Sequence, residues 1–210
     1  FYQKAKRAGI KPIIGAELYI AVGNMRDKNH GVDDKRYHLT VLAHTTEGYY
    51  NLIKIITAAN LEGFYYKPRA DKNLLRQYSK GLIALSGCFA AEIPRAIQSK
   101  KMDTAERLIG EYQDIFGHDN FYLEIMPHFE FADMRPTNAT LAMLARKTGA
   151  RLVATNDIHY VHREDSEAQD IMVSIQTGAR TNDENRLTMK QANLSMRTGE
   201  EMLALLPEYP

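Results

Sequence analysis

The chain has 210 residues, 44% hydrophobic and 25% charged, which is enough to bury a sizeable core and ordinary for a globular protein. Lys plus Arg (27) nearly balance Asp plus Glu (26), which excludes a bulk basic field for nucleic acid and leaves any DNA contact to local clusters. One cysteine excludes an internal disulfide framework and fits a reducing cytoplasm, and no apolar run approaches the roughly 20 residues that a bilayer-spanning helix needs.

Phe1 to Gly9 reads as the last turns of a helix closed by glycine, with Pro12 shortly after. No Met or N-cap precedes it, so the chain is expected to be a piece of a longer protein. Residues 13–21 form a strand-like run with Glu17 embedded in it, and the polar stretch 23–36 reads as a surface loop. The next strand is His38–Ala43. Thr46 can cap a following helix whose apolar positions are Tyr49, Leu52, Ile53, Ile56 and Ala59. Residues 61–80 begin irregularly and then fit a short helix. A strand over 82–86 leads to Cys88 and a short helix near 91–98. The helix over 104–116 places Ala105, Leu108, Ile109, Tyr112, Ile115 and Phe116 on one face, with Gly117 at its end. A strand over 121–126 leads to His128. A helix over 138–148, a strand over 151–155 and a helix over 164–177 closed by Gly178 complete the alternation.

Repeated strand–helix units predict a parallel sheet built from βα units. The polar candidates cluster at or beyond strand ends, as in βα-barrel enzymes, and no Gly-x-Gly-x-x-Gly fingerprint supports an open dinucleotide-binding sheet. Residues 179–210 lose the strand pattern and read as a connector.

The strand from Leu152 to Ala154 delivers Asp157 and His159 to its C-terminal end. If the chain stays extended there, side chains two apart point to one side, and a carboxylate and an imidazole converge. A strand-end turn with a capping Asp is the plainer reading. Cys88 ends a second apolar strand, where a small buried hydrophobe is the plainer reading. His38 opens its strand and reads equally well as a structural histidine. Glu17 faces either a lumen holding a cation or solvent, because an unpaired carboxylate is costly to bury. His128, after Met126-Pro127, is a further candidate. Lys67-Pro68-Arg69 beside Phe64, Tyr65 and Tyr66 suits phosphate and base contacts, or is simply a rigid surface loop. Together Glu17, His38, Cys88, Asp157 and His159 offer oxygen, nitrogen and sulfur donors suited to zinc or manganese. Five donors exceed the needs of one tetrahedral ion, and sites of two or more metals commonly cleave phosphate esters.

The runs Ala8–Glu17, His38–Ala43, Leu61–Arg69, Gly81–Cys88 and Val153–Tyr160 resemble the polymerase and histidinol phosphatase (PHP) domain of bacterial DNA polymerase III alpha subunits, in the family's order and over most of residues 1–178. Ile175–Gly178 and Glu200–Met202 resemble the lead-in to the polymerase palm. The resemblance implies a distorted (β/α)7 PHP-type barrel, incomplete at its N-terminus, spanning 1–178, with 179–210 leading toward the palm. It implies a cluster of Zn2+ or Mn2+ ions held by Glu17, His38, Cys88, Asp157 and His159, with Asp157 and His159 central to catalysis. The family's opening His-x-His and Asp-His ligands, its palm aspartates and their Mg2+ fall outside these 210 residues. Lys67, Arg69 and Arg163 are expected to touch phosphates of a DNA primer–template. Other replicase subunits are the implied protein partners, and no membrane is involved. Three functions follow as alternatives: a metal-dependent 3′–5′ exonuclease, a non-catalytic module that braces the polymerase and binds a separate proofreading subunit, or a small-molecule phosphatase such as one acting on histidinol phosphate.

Overall fold

The computed structural model describes residues 1–209, so the last residue of the expected connector, Pro210, lies outside the described residues. In chain order the elements are α1 (Tyr2–Arg7), β1 (Gly15–Ala21), β2 (Arg36–Ala43), α2 (Thr46–Leu61), β3 (Arg69–Ala70), α3 (Lys72–Tyr78), β4 (Leu82–Leu85), α4 (Glu92–Gln98), α5 (Met102–Phe116), β5 (Phe121–Ile125), α6 (Met134–Thr148), β6 (Arg151–Ala154), α7 (Ser166–Thr177) and α8 (Gly199–Leu205). The chain divides into two units, Phe1–Glu124 with Leu141–Val153, and Ile125–Thr140 with Ala154–Pro210. Among the described residues no helix is long and apolar enough to cross a membrane.

The first unit carries an α/β architecture around a six-stranded sheet of order β3-β1-β2-β4-β5-β6, which is not closed. The expectation of an all-parallel sheet needs correction. β2 runs antiparallel to both β1 and β4, while β1–β3 and β4–β5 are parallel. Between β1 and β2 the reason is the connection: residues 22–35 contain no helix to carry the chain back in a βα crossover, so the strand returns antiparallel. Alternate residues of the strands, such as Leu18 and Ile20, Leu39 and Val41, and Phe121 and Leu123, are buried. The helices cover them with Leu52 and Ile55 of α2, Ile93 of α4 and Leu108, Ile109 and Tyr112 of α5; the Tyr112 ring stacks on Phe121 at 5.3 Å.

Two details of α2 differ from expectation. Thr45, not Thr46, is the N-cap, its hydroxyl accepting from the Gly48 N–H at 3.0 Å. The buried face is Gly48, Asn51, Leu52, Ile55 and Ala59, which leaves Tyr49, Ile53 and Ile56 exposed. Close approach decides this. A Cβ on Gly48 would lie 1.8 Å from the Gly81 carbonyl oxygen, so the glycine-bearing face must turn inward.

The loop between β1 and β2 is pinned from within. Arg69 is fully buried (0% exposed), and its guanidinium donates to the carbonyls of Gly63 (3.2 Å), Asp33 (2.5 Å), Met25 (2.8 Å) and Asp27 (2.8 Å). Asp71 caps α3 through Leu74 N–H and also accepts from Met25 N–H.

In the second unit, Asn138 of α6 brackets the end of β5, donating to the Met126 carbonyl at 2.8 Å and accepting from its N–H at 3.4 Å. Asp170 of α7 is clamped by Arg186 in a bidentate pair (2.7 and 2.6 Å) and by the Thr188 hydroxyl (2.7 Å). These charge-assisted bonds hold its carboxyl well below the usual range and fasten residues 186–190 to the helix.

Candidate functional site

The first unit brings three expected donors into contact. Glu17 lies on β1 opposite Thr40, and His38 lies on β2 opposite Tyr19. They are diagonal neighbours on one face of the pair, a spacing that long side chains bridge. His38 Nδ1 sits 2.5 Å from Glu17 Oε1 and 3.7 Å from Cys88 Sγ. The imidazole is partly covered (27% exposed) and the carboxylate is more open (47%). The bond to Cys88, then the bond to Glu17, raise the His38 pKa to about 10, while burial opposes the shift. At neutral pH the ring is therefore an imidazolium.

Cys88 reaches His38 because the chain turns sharply after β4. Gly87 has φ +81°, and a Cβ there would meet Ala91 Cβ at 2.8 Å, so only glycine suits the corner. Ala91 N–H donates to the Cys88 carbonyl at 2.9 Å, and His38 N–H to the Ala90 carbonyl at 3.4 Å, which ties the turn to β2. Sequence reasoning missed one further participant. Glu124 of β5, 6% exposed, accepts from Gly87 N–H at 2.5 Å. Its only sequence signal is a carboxylate inside the apolar run of residues 121–126.

The chemistry of this trio fits a borderline divalent ion. Two ligand atoms on one tetrahedral zinc lie about 3.5 Å apart, given bonds of ~2.0–2.3 Å. The nitrogen–sulfur distance of 3.7 Å is already in that range, and the nitrogen–oxygen distance of 2.5 Å would have to open. As it stands, the trio is closed on itself around His38 Nδ1. Accordingly, among the described residues no group of three or more His, Cys, Asp and Glu side chains is arranged to hold a metal ion.

In the second unit the Asp-x-His run is not extended. β6 ends at Ala154, and Asp157 has the left-handed φ of +48°. The expected route, two strand side chains pointing one way, therefore does not operate. A different geometry joins the pair: His159 Nδ1 lies 2.5 Å from the Asp157 carbonyl oxygen and 3.9 Å from Asp157 Oδ1. Because a carbonyl only accepts, Nδ1 carries a proton in this contact, which leaves Nε2 as the ring nitrogen that can ligate a metal.

The loop is held by a segment expected only to be a connector. His159 N–H donates to the Leu194 carbonyl (2.9 Å), and Asn156 Nδ2 donates to the Asn193 (3.0 Å) and Ser195 (2.7 Å) carbonyls. Tyr160 bridges to Ser195. His128 is buried (4% exposed), hydrogen-bonded to the Asn156 backbone, and senses the charges of Asp157, Glu130 and Arg197. Burial lowers its pKa and keeps the ring neutral, and Nε2 is enclosed without a hydrogen-bond partner.

Of the expected phosphate contacts, Lys67 is exposed in the first unit and Arg163 in the second. Arg69 does not suit that role. It has no solvent-accessible surface, and its donors are engaged by four backbone carbonyls.

Residues 1–128 match the PHP domain family. The chain is similar to the DNA polymerase III subunit alpha of Thermus aquaticus, 43% identical over 210 residues that cover 99% of this chain and 17% of that protein. It is likewise similar to that of Borreliella burgdorferi (44% over 211 residues, 100% of this chain and 18% of that protein) and that of Treponema pallidum (39% over 211 residues, 100% and 18%). The chain thus spans less than a fifth of the length of these relatives.

Proposed function

Because the chain belongs to the PHP domain family, we propose that it is the PHP part of a bacterial DNA polymerase III alpha subunit and acts in the parent as a metal-dependent 3′–5′ exonuclease during DNA replication. Residues 1–178 are the PHP domain on this reading, and 179–210 lead toward the palm, where the polymerase site and its Mg2+ lie. The parent works in the cytoplasm on a DNA primer–template with other replicase subunits.

The observation that carries this reading is the contact of a carboxylate, an imidazole and a thiol around His38 Nδ1, within 3.7 Å. A chance trio of structural residues has no need of three different ligand types. Glu17, His38 and Cys88 in the first unit, and Asp157 and His159 in the second, would hold Zn2+ or Mn2+. When bound, such ions lower the pKa of water and stabilise the departing 3′ oxygen. The chain's own residues do the rest. His159 presents Nε2 because its Nδ1 proton is donated to the Asp157 carbonyl. His128 buttresses the loop through the Asn156 backbone. Lys67 and Arg163 offer exposed cations to the phosphates, contacts that position DNA without reading its sequence.

The competing reading is a non-catalytic brace that binds a separate proofreading subunit. It draws support from the absence, among the described residues, of a preformed three-donor metal group. A small-molecule phosphatase is less favoured, since the relatives named above are polymerase subunits. The experiment uses the full-length parent on mismatched primer ends, with histidinol phosphate as the control substrate. Asp157→Asn should abolish excision and leave primer extension intact, and Cys88→Ala with His159→Ala should lower bound zinc or manganese. Equal loss of excision and extension would favour the brace, and unchanged metal content would reject the ligand assignment.

A further inference from the structure

Glu124 is a carboxylate in a place where carboxylates are costly. It lies near the end of β5 with 6% of its surface exposed, between Leu123 (0%) and Ile125 (2%). Burying such a group is unfavourable unless the anion is well hydrogen-bonded. Here the bond is short and directional: Oε2 accepts from Gly87 N–H at 2.5 Å. Two more bonds close the same clamp. Glu124 N–H donates to Ser86 Oγ at 2.9 Å, and Ser86 N–H donates to the Tyr122 carbonyl at 2.9 Å. The end of β5 thus grips the two residues that immediately precede Cys88.

What the clamp fixes is the corner itself. Gly87 has φ +81°, with its would-be Cβ blocked by Ala91 and close to the His38 carbonyl (3.1 Å). Rotation about that residue swings Cys88 toward or away from His38. The thiol lies 3.7 Å from His38 Nδ1 only while the corner holds this conformation.

We propose that Glu124 is a positioning residue for Cys88, acting through Gly87 N–H to hold the thiol beside His38 and so to set the affinity of the Glu17–His38–Cys88 donor set for a divalent cation. The proposal rests on the reading of Cys88 as a metal ligand. Supporting groups one shell out from a metal typically change its affinity about tenfold to a hundredfold when removed.

The test uses the full-length polymerase subunit, stripped by chelation and titrated with Co2+ alone. The readout is the thiolate-to-cobalt absorption band, taken as the part of the band that Cys88→Ala removes. Glu124→Ala should weaken Co2+ binding in this band about tenfold or more, and Glu124→Gln, which keeps an acceptor for Gly87 N–H, should stay within about threefold of wild type. In the metal-free protein, hydrogen exchange over residues 86–91 should speed up in Glu124→Ala, with β1 and β2 unchanged. Three results would overturn the proposal. If exchange over 86–91 is unaltered, the clamp does not operate. If exchange quickens while the cobalt band and affinity stay wild type, the clamp is purely structural. If the wild type itself shows no Cys88-dependent band, the ligand reading fails first and takes this inference with it, an outcome visible before any Glu124 variant is made.

Discussion

Replacing Arg69 by alanine separates a structural arginine from a DNA-contacting one. Four bonds from the guanidinium reach the carbonyls of Gly63, Met25, Asp27 and Asp33, three of them in the loop between β1 and β2. At about 1 kcal/mol net per bond, truncation removes ~3 kcal/mol from the loop's three bonds, and the buried carbonyls left behind add to this. That sum is a barrier to opening residues 23–35, since the rest of the loop is held mainly by Asp71 and by its own short-range bonds. Loss of ~3 kcal/mol corresponds to a fall of roughly 150-fold in protection wherever opening is local. Hydrogen exchange of the full-length parent, resolved on peptides covering 23–35, measures it. Arg69→Lys should rescue little, because one ammonium cannot reproduce a planar fork of donors aimed at four oxygens. A phosphate-contacting arginine would behave in the opposite way, with weaker, less salt-dependent DNA binding and an unchanged loop. Protection over 23–35 that stays within about threefold of wild type would refute the reasoning.

The raised His38 pKa predicts a pH window. Its folded value of about 10 lies above the ordinary 6.5, so the stabilisation is fully present below 6.5 and is lost as pH rises toward 10. In the metal-free parent, the extra exchange protection of β1 and β2 over a Glu17→Gln variant should shrink across that window, and a flat difference would contradict the assignment. Gly48→Ala should be severely destabilising, as its Cβ would fall 1.8 Å from the Gly81 carbonyl; normal melting would show that α2 shifts freely. Asn138→Ala should cost about 2–3 kcal/mol, because Asn138 is 1% exposed and both backbone groups of Met126 lose their partner. Faster exchange confined to the end of β5 is the expected signature, and unaltered exchange there would reject it.

Most elements could be read from local pattern. β4, β5 and β6 end within a residue of the expected positions, because an apolar β-type run stops where a polar or turn residue begins. The face of α5 was equally plain, since Ala105, Leu108, Ile109, Tyr112, Ile115 and Phe116 keep helical spacing and are all buried. The donor types in the first unit were also legible, as each lies in or just after an apolar strand. Helical spacing misjudged the buried face of α2, because counting apolar residues cannot register that a missing Cβ lets Gly48 approach Gly81.

The chain order of residues thus determines where strands and helices begin and which residues are chemically able to bind a metal or a phosphate. Tertiary structure alone decided that β2 is antiparallel to both neighbours, that Asp157 turns left-handed, and that residues 192–196 brace the Asp-x-His loop. It also converted Arg69 from an apparent surface cation into a core group. The reason is range. Periodicity speaks for neighbours three or four residues apart, whereas the three loop carbonyls that capture Arg69 lie 36 to 44 residues away and those that hold Asn156 lie 37 to 39 away. Partners that distant leave no trace in local spacing, and only the folded backbone brings them within reach of a hydrogen bond.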